Sequence, residues 1–245
     1  ADDNTVFHIA MYAGYTKVVR MLCTKPTFDV KILEQLNKNH LSCFHIACEG
    51  NPETVEFLVH QNPRLADQLT HTQETPLHIA ARNNDASIAS LLVETNPSLL
   101  HLTDLLGRNP LLSATNFFAI ETAMFLLNYN TTAEKKIDLT LTGDNGYNAF
   151  QSLVSVSSVA SHRMELYFEL LDEFLKQGVD INQTTENMEM CPLNLAVINN
   201  NTKLGLYLLS HGASVSIPNF FRDTALHFAA ENLNLELVCT LLEHK

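Results

Sequence analysis

The chain has 245 residues, 46% hydrophobic and 17% charged, which is apolar enough to bury a domain-sized core and too sparsely charged for a disordered segment. Fifteen Lys and Arg face 27 Asp and Glu, for a formal net charge of -12. The densest basic spots, Lys135-Lys136 and Lys31 with Lys38, are too sparse to track a phosphate backbone, so a nucleic-acid partner is not expected.

No run of about 18 apolar residues occurs, and Ala1-Asp2-Asp3-Asn4 lacks the basic-then-apolar order of a signal peptide, so membrane insertion is not expected. The five cysteines are odd in number and lack C-x-x-C spacing, which argues against a disulfide framework or a zinc site and points to a reducing, cytoplasmic setting. The glycosylation patterns at Asn130-Thr131-Thr132 and Asn182-Gln183-Thr184 are discounted on the same ground.

From the amino end, a six-residue pattern recurs. It is first seen as Thr5-Val6-Phe7-His8-Ile9-Ala10, then as Ser42-Cys43-Phe44-His45-Ile46-Ala47 and Thr75-Pro76-Leu77-His78-Ile79-Ala80. Weaker copies start at Asn109, Asn148 and Cys191, and a clear one closes the series at Thr224-Ala225-Leu226-His227-Phe228-Ala229. The starts lie 37, 33, 34, 39, 43 and 33 residues apart.

Each of the clear copies precedes a second apolar stretch at helical spacing: Val18, Val19 and Leu22; Val55, Leu58 and Val59; Ile88, Leu91 and Leu92; Val238, Leu241 and Leu242. Stop signals follow the second stretches, as in Asn62-Pro63, Asn96-Pro97, Gln177-Gly178 and His211-Gly212. Between repeats, Asp104-Leu105-Leu106-Gly107-Arg108 and Asp144-Asn145-Gly146-Tyr147 read as tight turns. Two insertions are expected, at 131–136 and 155–163. The second leads into an amphipathic helix from Met164 to Lys176, whose Glu165, Glu169, Asp172 and Glu173 form a solvated face.

Thr75 to Ala80 match the T-P-L-H-x-A signature, and the chain as a whole resembles the ankyrin-repeat family. The resemblance implies an all-α solenoid of about seven helix-turn-helix repeats with β-turn fingers, one domain over 1–245. It also implies that His8, His45, His78 and His227 are structural, hydrogen-bonded to the preceding Thr or Ser and to the neighbouring repeat. The abundance of Asn and the irregular spacing are similar to divergent arrays in secreted effectors of intracellular bacteria, which would place the protein in a host cytoplasm. Because the chain opens without Met inside a signature and stops inside the last helix, it reads as a fragment of a longer protein.

Cys43, His45 and Cys48 lie close together, but a zinc site needs a fourth ligand that is not evident, and these positions are expected to pack in the core. No phosphate loop, nucleophile elbow or zincin pattern occurs, so no catalytic residue, cofactor or metal is expected.

The finger tips, three and four residues before each start, carry Leu105, Leu106, Met188, Phe220 and Phe221 where a solvated turn would select small polar residues. Either they fold back onto a neighbouring finger or they form an edge that binds a partner. The family's variable concave positions map to Tyr12, Glu49, Arg82, Asn83, Asn116, Phe117, Ile198, Asn199, Glu231 and Asn232. Together these predict a monomeric module that binds a partner protein through tips and concave helices, or alternatively the targeting arm of an enzyme or effector whose catalytic domain lies elsewhere.

Overall fold

The computed structural model describes residues 3–26, 28–156 and 159–244. Of the expectations above, those that touch Ala1, Asp2, Ser157, Ser158 and Lys245 lie outside these residues. The rest of the chain forms paired helices, with no strand among the described residues.

Every one of the seven starts is an N-cap. Thr5, Ser42, Thr75, Asn109, Asn148, Cys191 and Thr224 precede, in turn, α1 (Val6–Tyr12), α3 (Cys43–Ala47), α5 (Pro76–Arg82), α7 (Pro110–Asn116), α9 (Ala149–Val154), α11 (Pro192–Ile198) and α13 (Ala225–Glu231). The second helices are α2 (Thr16–Cys23), α4 (Pro52–Gln61), α6 (Ala86–Thr95), α8 (Ile120–Thr132), α10 (Met164–Lys176), α12 (Thr202–Ser210) and α14 (Leu235–Glu243). Helices of five to thirteen residues are marginal alone. They are stable here because they stack, first helix on first and second on second, in two compact units: 1–137 with the first four repeats and 138–245 with the last three.

In the first unit Phe44, Leu58, Leu77, Ile79, Ile88 and Leu92 are fully buried. In the second, Phe150 meets Phe174 edge-on at 6.0 Å and the Tyr167 hydroxyl donates to Leu153 O. The second helices carry their stripes less evenly than periodicity predicts. Leu91 is half-buried and Leu242 is exposed.

The signature histidine explains the register. At His78, the backbone N–H of Thr75 donates to Nδ1 at 3.1 Å, the Thr75 hydroxyl lies 2.8 Å from the same nitrogen, and Nε2 donates to Arg108 O of the next repeat at 2.8 Å. His8 and His45 repeat this, reaching Leu41 O and Gln68 O. One ring therefore closes a helix end and ties it to the following segment; His227, exposed in the last repeat, keeps only the bonds to Thr224 among the described residues.

The weaker copies use substitutes. Gln151 accepts from the N–H of Asn148 and donates through Nε2 to Gln183 O at 2.8 Å, as a histidine would. Asn194, a carbon shorter, reaches Ile217 O at 3.2 Å but leaves its Oδ1 unpartnered. At Asn109 only the cap survives, because Leu112 has no polar group to offer.

Asparagines make a second set of links between repeats. Asn51 donates to Met11 O, Asn199 to Ser155 O, Asn201 to Val156 O and Asn232 to Val197 O, while Asn84 Oδ1 accepts from Thr122 N–H. The richness in Asn is thus in large part structural.

The stop signals also do more than end helices. Asn62-Pro63 and Asn96-Pro97 begin 3-10 turns, Pro63–Asp67 and Pro97–His101, whose Leu65, Leu99 and Leu100 are buried. The insertion at 131–136 extends α8 by a turn, and Lys136 Nζ closes it by donating to the carbonyls of Asn130 and Thr131. At 155–163, Ser155 caps α9 and a 3-10 turn, Ser161–Arg163, runs into α10. The acidic face of α10 is only partly free, since Asp172 accepts from the Tyr207 hydroxyl at 2.5 Å and Glu173 from Gln177 Nε2.

Burial lowers the His45 pKa from 6.5 to about 4, and His78 moves the same way for the same reason. Protonating Nδ1 would set an N–H against the Ser42 N–H that donates to it. A base whose folded pKa lies below its unfolded value costs stability as pH falls through that window, here from 6.5 to 4. We expect His45 alone to withdraw about 2 kcal/mol by pH 5. His45→Gln, which can make the bonds that Gln151 makes, should match the wild type at pH 7.5 in urea unfolding and lose less on acidification. Equal acid sensitivity of the two proteins would refute the assignment.

Candidate functional site

Counted from the starts, four register positions supply the groove of the second unit: the tip three residues before, the finger root one before, and the positions four and seven after. In the second unit these rows converge. Met188 and Phe221 from the tips, Tyr147, Met190 and Asp223 from the roots, and Leu195, Phe228, Ser155 and Ile198 from the first helices line one groove of about 560 Å³, with Asn199 and Asn219 completing its wall.

The fingers are held by their own hydrogen bonds. Asn219 accepts through Oδ1 from the N–H groups of Phe221 and Asp223, and the Phe220 N–H donates to Met188 O at 3.0 Å, joining adjacent tips. Phe220 and Phe221 are each 63% exposed and meet edge-on at 5.4 Å, so neither folds back onto the neighbouring finger. Gly146, in the fifth finger, has φ +73°, and a side chain there would lie 2.7 Å from Asn187 Nδ2.

Of the ten residues proposed from sequence, Met188, Phe221 and Ile198 meet in the groove, with Phe220 beside it. The others lie in the first unit. Leu105 and Leu106 are exposed on a finger held by Asp104, and the Leu105 N–H donates to Thr72 O. Tyr12 and Phe117 are exposed, and Asn116 is half-buried at the end of α7. Arg82 is already engaged, its guanidinium 2.6 Å from Glu74 Oε1.

The sequence reading missed Tyr147, Met190 and Asp223. The signal was available, because all three sit immediately before a start, the position Glu74 holds in the third repeat.

The family profile described as Ankyrin repeats (3 copies) matches residues 44–139 and 158–245. The chain belongs to the ankyrin-repeat family. A Saccharomyces cerevisiae protein assigned as the 26S proteasome regulatory subunit p28 is 33% identical over 165 residues, covering 66% of this chain and 67% of that protein. A fowlpox virus ankyrin repeat protein is 21% identical over 229 residues, 82% of this chain but 34% of its own length. Among solved structures, the human ASB11 ankyrin repeat domain aligns with a TM-score of 0.74 at 19% identity, covering 99% of this chain and 98% of the other. The ankyrin repeat domain of Bcl-3 aligns at 0.66 and 24% identity, covering 100% and 87%.

Cys43, His45 and Cys48 of this ankyrin array serve packing. The Cys43 thiol donates to Leu33 O at 3.4 Å and burial pushes it up to about 12; Cys48 is fully buried and pushed well above its ordinary range. His45, between them in sequence, is committed to Ser42 and Gln68. Among the described residues, no three His, Cys, Asp or Glu stand where they could hold a metal ion.

A thiolate is the reactive form, and these two thiols are kept from it. We expect iodoacetamide at pH 8 to modify the exposed Cys239 first, and Cys43 and Cys48 only in denaturant, as read by peptide mass spectrometry. Early modification of Cys43 in the folded protein would overturn the packing assignment.

Proposed function

We propose that this chain is a protein-binding module whose partner lies along the finger tips and concave first helices, with the groove of the second unit as its apolar anchor site. The observation that carries this reading is the convergence of exposed Phe221 and Met188 with Ile198 in one groove, on fingers held by their own hydrogen bonds. Exposed aromatic and thioether side chains contribute little to the fold, and they are the types that dominate interface energetics. Preorganised fingers lower the ordering cost of association. A relative assigned as a subunit of a larger assembly fits a chain whose business is contact with protein.

Phe220→Ser with Phe221→Ser, and separately Leu105→Asn with Leu106→Asn, should melt within about 0.5 kcal/mol of the wild type, unlike the core change Leu92→Ala, which should cost about 2–5 kcal/mol. In capture from cell lysate, the Phe variant should lose its partner by about 2 kcal/mol or more per anchor, roughly thirtyfold. Full-strength capture by both variants would refute this face as the binding surface. A melting loss as large as that of Leu92→Ala would show that the side chains pack inside.

A further inference from the structure

The third repeat shows what the root and concave rows do when they are internally satisfied. Glu74, one residue before the start, meets Arg82, seven residues after it, at 2.6 Å, with both side chains largely shielded from solvent. The seventh repeat keeps the acid and loses the base. Asp223 occupies the place of Glu74 and lines the groove, but the place of Arg82 is taken by Glu231. No cation among the described residues pairs with Asp223.

Around this carboxylate the groove offers the Phe221 and Tyr147 rings and the Met188, Met190 and Ile198 side chains. Apolar walls suit an alkyl stem, ring faces attract a cation, and a carboxylate partly removed from water binds one more strongly than a solvated one. The charge of the whole unit agrees. Residues 138–245 hold thirteen acidic against five basic residues, whereas 1–137 hold fourteen against ten.

We infer that the groove is a socket for an arginine or lysine side chain of a basic partner segment, its stem on Met188, Met190 and Ile198 and its charged head at Asp223, in the role that Arg82 plays within the third repeat. The inference rests on the reading of this groove as a protein-binding site and adds the chemistry of the occupant.

The probe is the blocked pentapeptide Gly-Leu-Arg-Leu-Gly, titrated into the whole chain by NMR at about 0.15 M salt to suppress diffuse attraction, beside the same peptide with citrulline for arginine. The arginine peptide should shift the resonances of Met188, Met190 and Phe221, and bind about tenfold or more tightly than the citrulline peptide. Asp223→Asn should remove most of that difference. Glu231→Arg should supply the missing base from within, abolish peptide binding and leave melting unchanged or raised. Glu236→Arg, the same charge change on α14 outside the groove, should affect binding little.

Equal binding of the two peptides would overturn the cationic occupant while leaving the partner face standing, since that face is tested separately by capture through Phe221. Unaltered binding by a folded Asp223→Asn protein, or equal loss in Glu231→Arg and Glu236→Arg, would overturn the socket.

Discussion

The histidine three residues into each of the first three signatures, His8, His45 and His78, is the constraint on which the rest depends. Its Nδ1 accepts from the N-cap backbone and its Nε2 donates to a carbonyl of the next segment, so one ring satisfies a helix end and sets the distance to its neighbour. Because the short first helices cannot hold themselves, this bond orders the stack and the stack holds the helices. Gln151 shows that the requirement is geometric, an acceptor and a donor about one imidazole apart, and Asn194 shows what a shorter side chain forfeits.

With the register fixed by these buried bonds, other positions are released from structural duty. The root and concave rows illustrate this. In the third repeat they neutralise one another through Glu74 and Arg82, closing that part of the surface. In the second unit the same rows hold Tyr147, Met190, Asp223, Ser155 and Ile198, which have no such mutual partners and instead open into a groove. The scaffold is common to both units, and the difference lies in which side chains occupy two positions per repeat.

The repeat starts, the helix pairs and the finger positions were legible in the sequence because each follows from a local rule. A Thr, Ser or Asn caps a helix, apolar residues recur at helical spacing, and Asp, Asn or Gly turns the chain. Even the helix over Met164–Lys176 was readable to its ends. The groove was legible only in part. Met188, Phe221 and Ile198 stood out by type and position, but Tyr147 and Met190 looked like ordinary turn residues until the fold aligned the residues preceding each start. Arg82 looked like a free concave cation, and its pairing with Glu74 joins residues eight apart through a bend that periodicity does not report. The 3-10 turns after α4 and α6 were hidden because Asn-Pro signals a stop whether or not the next leucine is buried.

The way the fingers are held is itself part of the case for recognition. Two residues before each later start, the backbone is left-handed: His40, Gln73, Gly107, Gly146, Glu189 and Arg222 all have φ between 52° and 73°. Only two of these are glycine, so four fingers hold an ordinary residue in a conformation disfavoured by roughly 1 kcal/mol. The surrounding bonds overcome that cost: Asn37, Asp104 and Asn219 each accept two backbone N–H groups, and Thr70 and Thr185 accept one each. A left-handed residue at that point turns the chain back toward the root and leaves the two preceding side chains projecting outward. An array that maintained such a bend only for its own stability would have no reason to place Phe220 and Phe221 on the outward positions, where each is 63% exposed.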